Sequence, residues 1–476
     1  MNEGEIYLSK SKNRQDVAKQ SIISRVRNFK EVTLGYTLDQ ALAEANRCLQ
    51  CPSPTCIEKC PVGVNIPAFI KLIKEQRIDK ALLKIREKNN LPAITGRVCP
   101  IEIQCEASCI LNKTGHPISI GALERFVADS QSKSYFNEER SLPQPKGQKV
   151  AIVGSGPVGL TATADLAKLG YRVTVFESFH DIGGVLLYGI PEFRLPKHII
   201  RTEVRYLKGL GVKFKVNTLI GNTLTIDELF NLGYKAIFIG AGAGTPNFLN
   251  IAGENLNGIY SANEFLTRIN LMDAYKFPKY DTPIKIGKRV VVIGGGNVAI
   301  DSARSALRLG ADSVTIVYRR SKEELPARLE EVENAEEEGI RFEFLSNPIR
   351  FIGDEKGRLI EVECIKMKLG EIDASGRRRA EPIPGSEFRI KADSVIVAIG
   401  RKTSPLISQN KEGLKTNAQG CLIVDKNLQT NKEGIWAGGD IVTGEATVIS
   451  AMGMGKQVAK SIHAYLSKRE KSTSTP

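Results

Sequence analysis

The chain has 476 residues, 42% hydrophobic and 25% charged, enough for two to four globular domains. Residues 1–19 lack the apolar stretch of a secretory signal and no apolar run approaches the ~20 residues that span a bilayer, so a cytoplasmic protein without membrane contact is expected. The net charge of +14 is scattered, which argues against nucleic acid, and none of the four histidines stands in a metal-ligand or triad spacing, which leaves hydrolysis unsupported.

Residues 1–145 read as mostly helical. Thr37-Leu-Asp-Gln40 forms a capping box that opens a helix and delivers Cys48 near its end. Pro67 suits the first residue of a further helix, with Phe69, Ile70, Ile73, Ala81, Leu82 and Ile85 on one packed face over part of its length. Seven of the nine cysteines lie between Cys48 and Cys109. They run Cys48, Cys51, Cys56 and Cys60-Pro61, then Cys99-Pro100, Cys105 and Cys109. Thiols grouped this way in a chain with no export signal point to metal and not to disulfides. A run closing on Cys-Pro is how iron–sulfur proteins present thiolates, and the Cys before Pro often serves a different cluster from its neighbours. A zinc site takes four ligands in two close pairs and would leave part of the set unused. Two four-iron clusters need one ligand more than the cysteines supply. Cys364 and Cys421 stand apart and read as packing residues. The Pro- and Gly-containing segment 141–147 reads as a linker.

From Lys149 the texture alternates strands with helices. Val150-Ala-Ile-Val153 enters Gly154-Ser155-Gly156-Pro157-x-Gly159, a helix follows, and the next strand ends at Glu177. The glycines allow a tight turn and close approach of a pyrophosphate to N–H groups at the helix start, and the acid can accept from a ribose diol. A second unit starts at Arg289 and carries Gly294-Gly295-Gly296-Asn297-Val298-Ala299. Its second strand ends in Arg319-Arg320 in place of the acid. Guanidiniums bind a 2′-phosphate that a carboxylate would repel, so this site prefers NADP(H) to NAD(H). The earlier site suits FAD, whose ribose 2′-OH is free.

Strand-then-glycine segments recur at 236–240, 395–400 and 434–440. The last returns the chain to the first nucleotide domain. There Gly439 and Asp440 are expected beside the FAD ribityl or phosphates, and a helix starting near Thr447 aims its positive end at the flavin. The reaction these sites require is hydride transfer from nicotinamide to flavin by positioning, with no obligatory acid–base residue. No Cys pair follows Glu177, so the disulfide-reductase reading fails.

The chain resembles the small (β) subunit of NADPH-dependent glutamate synthase. It is equally similar to the large subunit of the electron-bifurcating NADH-dependent reduced ferredoxin:NADP oxidoreductase and to the N-terminal half of dihydropyrimidine dehydrogenase. The likeness covers 29–463 and rests on Gly35-Tyr-Thr, Arg47-Cys-Leu-Gln-Cys51, Gly96-Arg-Val-Cys-Pro100, Ile120-Gly-Ala-Leu-Glu124, Tyr188-Gly-Ile-Pro-Glu-Phe-Arg-Leu-Pro196, and Gly294-Gly-Gly-Asn297 followed by Asp301. By resemblance, one [4Fe-4S] cluster takes Cys48, Cys51, Cys56 and Cys109, and the other takes Cys60, Cys99, Cys105 and the carboxylate of Glu124. Arg194 and Gly184 match residues beside FAD, and Gly400 matches a turn near the nicotinamide nucleotide.

The fold expected is α/β, with two Rossmann-like domains of glutathione-reductase type, the NADP domain inserted in the FAD domain, after a helical iron–sulfur domain. The expected boundaries are 1–145 for the clusters, 146–285 and 394–470 for FAD, 286–393 for NADP(H), and a disordered tail at 471–476. The resemblance also implies a hetero-oligomer. The electron-accepting partner is the glutamate synthase large subunit, or a smaller flavin/iron–sulfur subunit working with ferredoxin.

Overall fold

The computed structural model describes residues 13–130, 144–373, 376–404, 406 and 413–473. Helix α1 (Leu38–Arg47) opens on the expected capping box: Thr37 Oγ1 accepts from Gln40 N–H at 3.3 Å and Gln40 Oε1 accepts from Thr37 N–H at 3.0 Å. Its C-cap is Cys48.

The single packed helix expected after Pro67 is two. Helix α2 (Ile66–Lys74) stops before Gln76, whose φ of 55° is left-handed, and α3 (Ile78–Arg86) then begins. Their apolar faces nevertheless share one core, with Phe69, Ile70, Ile73, Ala81, Leu82 and Ile85 all buried. Helices α4 (Pro92–Val98) and α5 (Ile120–Asp129) cross closely at Gly96, where a Cβ would stand 2.7 Å from Arg125 N. No side chain larger than hydrogen fits this crossing.

The FAD-type sheet is parallel. It is built from β1 (Lys149–Val153), β2 (Arg172–Phe176), β3 (Lys213–Lys215), β4 (Tyr234–Ile239) and a late strand, Ile435–Ala437, that pairs with β4. Buried on both faces, β1, β2 and β4 are nearly continuous apolar runs. Helix α6 (Pro157–Lys168) follows β1, and its core merges with that of the cysteine-bearing helices. The N-terminal domain is therefore packed onto the FAD-type domain and not tethered to it.

Chain leaves this sheet through β5 (Thr245–Pro246) and forms a second parallel sheet. Here β6 (Ile259–Ser261), β7 (Arg289–Ile293), β8 (Ser313–Tyr318), β9 (Arg341–Phe344) and a strand at Ser394–Val397 pair in the order β9-β8-β7-(Ser394–Val397)-β6. Helices α7 (Asn297–Arg308) and α8 (Leu329–Glu337) flank it. An antiparallel sheet of β10 (Ser346–Gly353), β11 (Leu359–Ile372) and β12 (Arg378–Lys391) is appended. The chain returns through β13 (Ser394–Val397) and β14 (Arg401–Lys402), which pairs antiparallel with β5.

The insertion is thus wider than the expected 286–393, because β6 and β13 both belong to the second sheet. A buried parallel strand followed by glycine looks the same whichever sheet receives it. After β15 (Ile435–Ala437), helix α9 (Val448–Thr473) closes the domain. It extends through the first half of the tail expected to be disordered, 471–473; 474–476 lie outside the described residues, as do 141–143 of the expected linker.

Candidate functional site

The cysteines expected to hold the first cluster converge. Cys48, Cys51, Cys56 and Cys109 line one open pocket with Leu49, Ile66, Ile70, Ile110 and Ile120. Burial raises the thiols of Cys48 and Cys56, the latter to about 12. Thiolates in so apolar a pocket need a bound cation, which suits metal–sulfur ligation.

The second set is deeper. Cys99 and Cys105 are buried, and burial, reinforced by repulsion from Glu124, raises the thiols of Cys60, Cys99 and Cys105. Glu124 itself is buried on α5, which pushes its carboxyl up to about 7 against hydrogen bonds from Thr95 and Asn89. The four side chains assigned together by resemblance are therefore electrostatic neighbours. Glu106, next to Cys105, is held by Arg14 at 2.7 Å and by Gly121 N–H at 3.1 Å.

At the first glycine turn the three glycines do different work. A Cβ on Gly154 would lie 2.4 Å from Gly240 O, and one on Gly159 would lie 2.1 Å from Gly154 O. Gly154 also has a φ of 97°. A Cβ on Gly156 would meet nothing within 4 Å, so this side of the turn is open, as the pyrophosphate expected there requires. Gly156 is the N-cap of α6 with Pro157 following, and no side chain caps the helix. Gly184, at φ 54°, stands against Gly156, where a Cβ would be 2.7 Å from Gly156 Cα.

Glu177 directly follows β2, at the strand end where it was expected, but its acceptors are in use. Oε2 accepts from Ser155 N–H at 3.0 Å and Ser155 Oγ at 2.5 Å; Oε1 accepts from Ser178 Oγ at 3.1 Å and Phe179 N–H at 3.0 Å. A ribose diol would exchange with one of the two hydroxyls. Gly439, at φ 76°, packs on Val158, and Asp440 follows it; burial pushes the Asp440 carboxyl up to about 6, against the Arg401 guanidinium. Thr447 caps α9 through its Oγ1, which accepts from Ser450 N–H at 3.2 Å.

Arg194 does not reach toward empty space. It bonds Asp301 at 2.6 Å and Glu331 at 3.3 Å, tying the FAD-type domain to α7 and α8.

In the second nucleotide turn, a Cβ on Gly295 would strike the Tyr318 ring at 2.6 Å, whereas Gly296, the N-cap of α7, is nearly open. Val298 lies in the first turn of α7, and Asn297 Oδ1 accepts from Arg328 N–H at 3.1 Å. Gly400, at φ 98°, turns the chain into β14; Glu445 Oε1 accepts from the following Arg401 N–H at 3.0 Å.

The arginine pair divides. Arg320 is buried, with Nε donating to Arg378 O at 2.6 Å and Nη2 to Asp373 at 2.5 Å, so its guanidinium fastens the β11–β12 hairpin. Arg319 is exposed and available to a phosphate. Both guanidiniums were expected at the 2′-phosphate; that of Arg320 is engaged by the neighbouring hairpin, while that of Arg319 is exposed.

Residues 25–135 match the family described as dihydropyrimidine dehydrogenase domain II, 4Fe-4S cluster, and 148–455 match the pyridine nucleotide-disulphide oxidoreductase family. The glutamate synthase [NADPH] small chain of Escherichia coli K12 is 37% identical over 95% of this chain and 97% of its own length. The chain belongs to the glutamate synthase small-chain family. Another relative, the NADP(+)-dependent formate dehydrogenase subunit beta of Moorella thermoacetica, is 39% identical over 86% of this chain and 60% of its own length. Mycobacterium tuberculosis FprA in complex with NADPH aligns at TM-score 0.55 and 23% identity, over 69% of this chain and 87% of that one, a likeness of fold. As a small-chain family member the protein is an NADPH oxidoreductase with FAD and [4Fe-4S] cofactors. No described helix is long and apolar enough to cross a membrane.

Sequence reasoning missed a buried charge lattice beside this site. Arg304 and Arg308 of α7 bond Glu338, Arg304 also bonds Glu331, and Arg25 of the N-terminal segment reaches Glu338 at 3.0 Å. Phe193 carries the Arg304 and Arg308 guanidiniums 4.8 and 4.1 Å from its ring centre. On helical spacing, Asp301, Arg304 and Arg308 look like a solvated face. Only the packing of the 193–194 loop and Arg25 against α7 buries them.

Proposed function

We propose that this protein is the electron-input subunit of a cytoplasmic hetero-oligomer, oxidising NADPH and delivering single electrons to a partner subunit. When bound, NADPH supplies a hydride to FAD, and the two clusters carry the electrons onward one at a time. The observation that carries the direction of flow is the contact between α9 and Pro61. A Cβ on Gly453 would stand 2.9 Å from Pro61 O, so the first turns of α9, which belong to the FAD domain, lie directly on the Cys60-Pro61 segment. The Cys60 set thus adjoins the FAD domain. The Cys48 set opens outward, and its pocket includes the exposed Leu49 and Ile110.

The chain's own residues arrange the path. Gly156 and Gly296 leave room for the two pyrophosphates, Arg319 selects the phosphorylated nucleotide, and the β5–β14 ribbon joins the two nucleotide domains. Thiolates ligate the outer set, and the inner set adds the Glu124 carboxylate. The partner that best fits the family is the glutamate synthase large subunit. A smaller flavin/iron–sulfur subunit acting with ferredoxin is the alternative, and the subunit that co-purifies decides between them.

The order of the two sets is testable with Cys51→Ser. NADPH oxidation by a small dye that accepts from the flavin is expected to stay near wild type, while reduction of the partner falls at least tenfold. Undiminished partner reduction with the Cys48-set signal gone would overturn the proposed exit.

A further inference from the structure

Glu124 presents its two oxygens to different surroundings. Oε1 accepts from Thr95 Oγ1 at 2.5 Å and from Asn89 Nδ2 at 3.1 Å, and Asn89 Nδ2 also donates to Thr95 Oγ1 at 2.7 Å. This closed triangle is buried, with Asn89 at 1%, Thr95 at 2% and Glu124 at 9% exposure. No described residue donates a hydrogen bond to Oε2, and the carboxylate is within electrostatic reach of the Cys60, Cys99 and Cys105 thiols, which it raises along with burial.

Local structure holds the triangle rigid. Asn89 Oδ1 accepts from Leu91 N–H at 2.9 Å, which fixes the amide orientation and turns Nδ2 toward the carboxyl. Thr95 sits one turn before Cys99 on α4, and Cys99 N–H bonds Thr95 O at 3.0 Å. The close crossing at Gly96 sets α5 against that same turn and brings Glu124 to Thr95. A polar pair this deeply buried is costly unless fully bonded; both members reach Oε1, and Thr95 Oγ1 also lies 3.0 Å from Leu91 O and 3.3 Å from Pro92 O, with the Oε1 contact the shortest.

We propose that Thr95 and Asn89 are positioning residues for Glu124, holding Oε1 so that Oε2 alone is presented to the Cys60–Cys99–Cys105 set. The inference rests on the reading of Glu124 as that set's fourth ligand. Donors on Oε1 do two things. They keep the carboxylate single-toothed, and they withdraw electron density from it, making it a weaker donor and the reduced cluster easier to form. Removing a donor therefore lowers the potential of that cluster.

The test is potentiometric titration of the holoenzyme followed by electron paramagnetic resonance, with iron and FAD content measured alongside. In Thr95→Val, iron and FAD are expected at wild-type content, with one cluster's potential moved negative and the other's unchanged. Thr95→Ser restores the hydroxyl and is expected to restore the potential. Asn89→Asp keeps the acceptor for Leu91 N–H, removes the N–H donor, and shifts the same cluster in the same direction; it carries the prediction if Thr95→Val does not load iron. Glu124→Gln identifies which signal belongs to this set. If Glu124→Gln changes one signal while Thr95→Val and Asn89→Asp leave both potentials at wild type, the positioning role is overturned. If Glu124→Gln changes neither signal, the ligand reading itself has failed.

Discussion

Arg319 and Arg320 are adjacent and chemically identical, yet their surroundings give them different work. Arg320 spends its guanidinium on Asp373 and the Arg378 carbonyl; Arg319 faces solvent at the end of β8. A charge-assisted bond to a phosphate is worth roughly 1.5–3 kcal/mol, about 10- to 100-fold in affinity. Arg319→Ala is expected to cut the kcat/KM preference for NADPH over NADH by that factor, mainly through KM. Arg320→Ala is expected to lower the melting temperature more than it alters the preference. Equal loss of preference in both variants would show that the two guanidiniums act together on the phosphate. The same contrast of neighbours recurs in the first glycine turn, where Gly154 and Gly159 answer to packing and the Cβ position of Gly156 is open.

At the scale of elements, α7 and α8 are bound to the rest of the chain by charge and not by an apolar seam alone. Burial pushes the Glu338 carboxyl up, but the Arg308 and Arg304 guanidiniums outweigh it and hold the group at about 2. Arg25 adds a third cation from the N-terminal segment. A carboxylate held below its unfolded value contributes stability above about pH 4.5, and loses it as the pH falls toward 2. Glu331 is shifted in the same direction, while burial raises Asp301. Removing one partner of a buried ionic lattice costs on the order of 3–5 kcal/mol. Glu338→Gln is therefore expected to melt well below wild type at pH 7 and to show a flatter loss of stability between pH 4.5 and 2. Calorimetry across that range checks both, and a parallel acid profile in the variant would remove Glu338 from the account.

Over the whole molecule, three domains meet with little slack between them. The cysteine-bearing helices share a core with the FAD domain, and α9 touches both: Gly455 lies against Val158 O of α6, and Gly453 lies against Pro61 O. On the proposed route, this contact lies between the FAD domain and the Cys60-Pro61 segment. Gly453→Val would force α9 away from the Cys60-Pro61 segment. FAD content and dye reduction by NADPH are expected to survive, while cluster bleaching after NADPH mixing slows at least several-fold in stopped-flow absorbance. Unaltered bleaching kinetics would mean that the path does not cross this contact.

Much of this protein was legible in its residues alone. The capping box ahead of Cys48, the two cysteine runs, the two glycine turns and the acid or arginines ending the second strands are local signals, because each depends on backbone geometry or ligand chemistry within a few residues. The tertiary structure decided what depends on neighbours distant in sequence. It assigned β6 and β13 to the second sheet, split the helix at Gln76, and turned Arg320 into a hairpin fastener. It also buried the α7 charges and set Asn89 and Thr95 against Glu124. Periodicity reports that a face is polar or apolar, but which partner covers that face is settled only when the chain has packed.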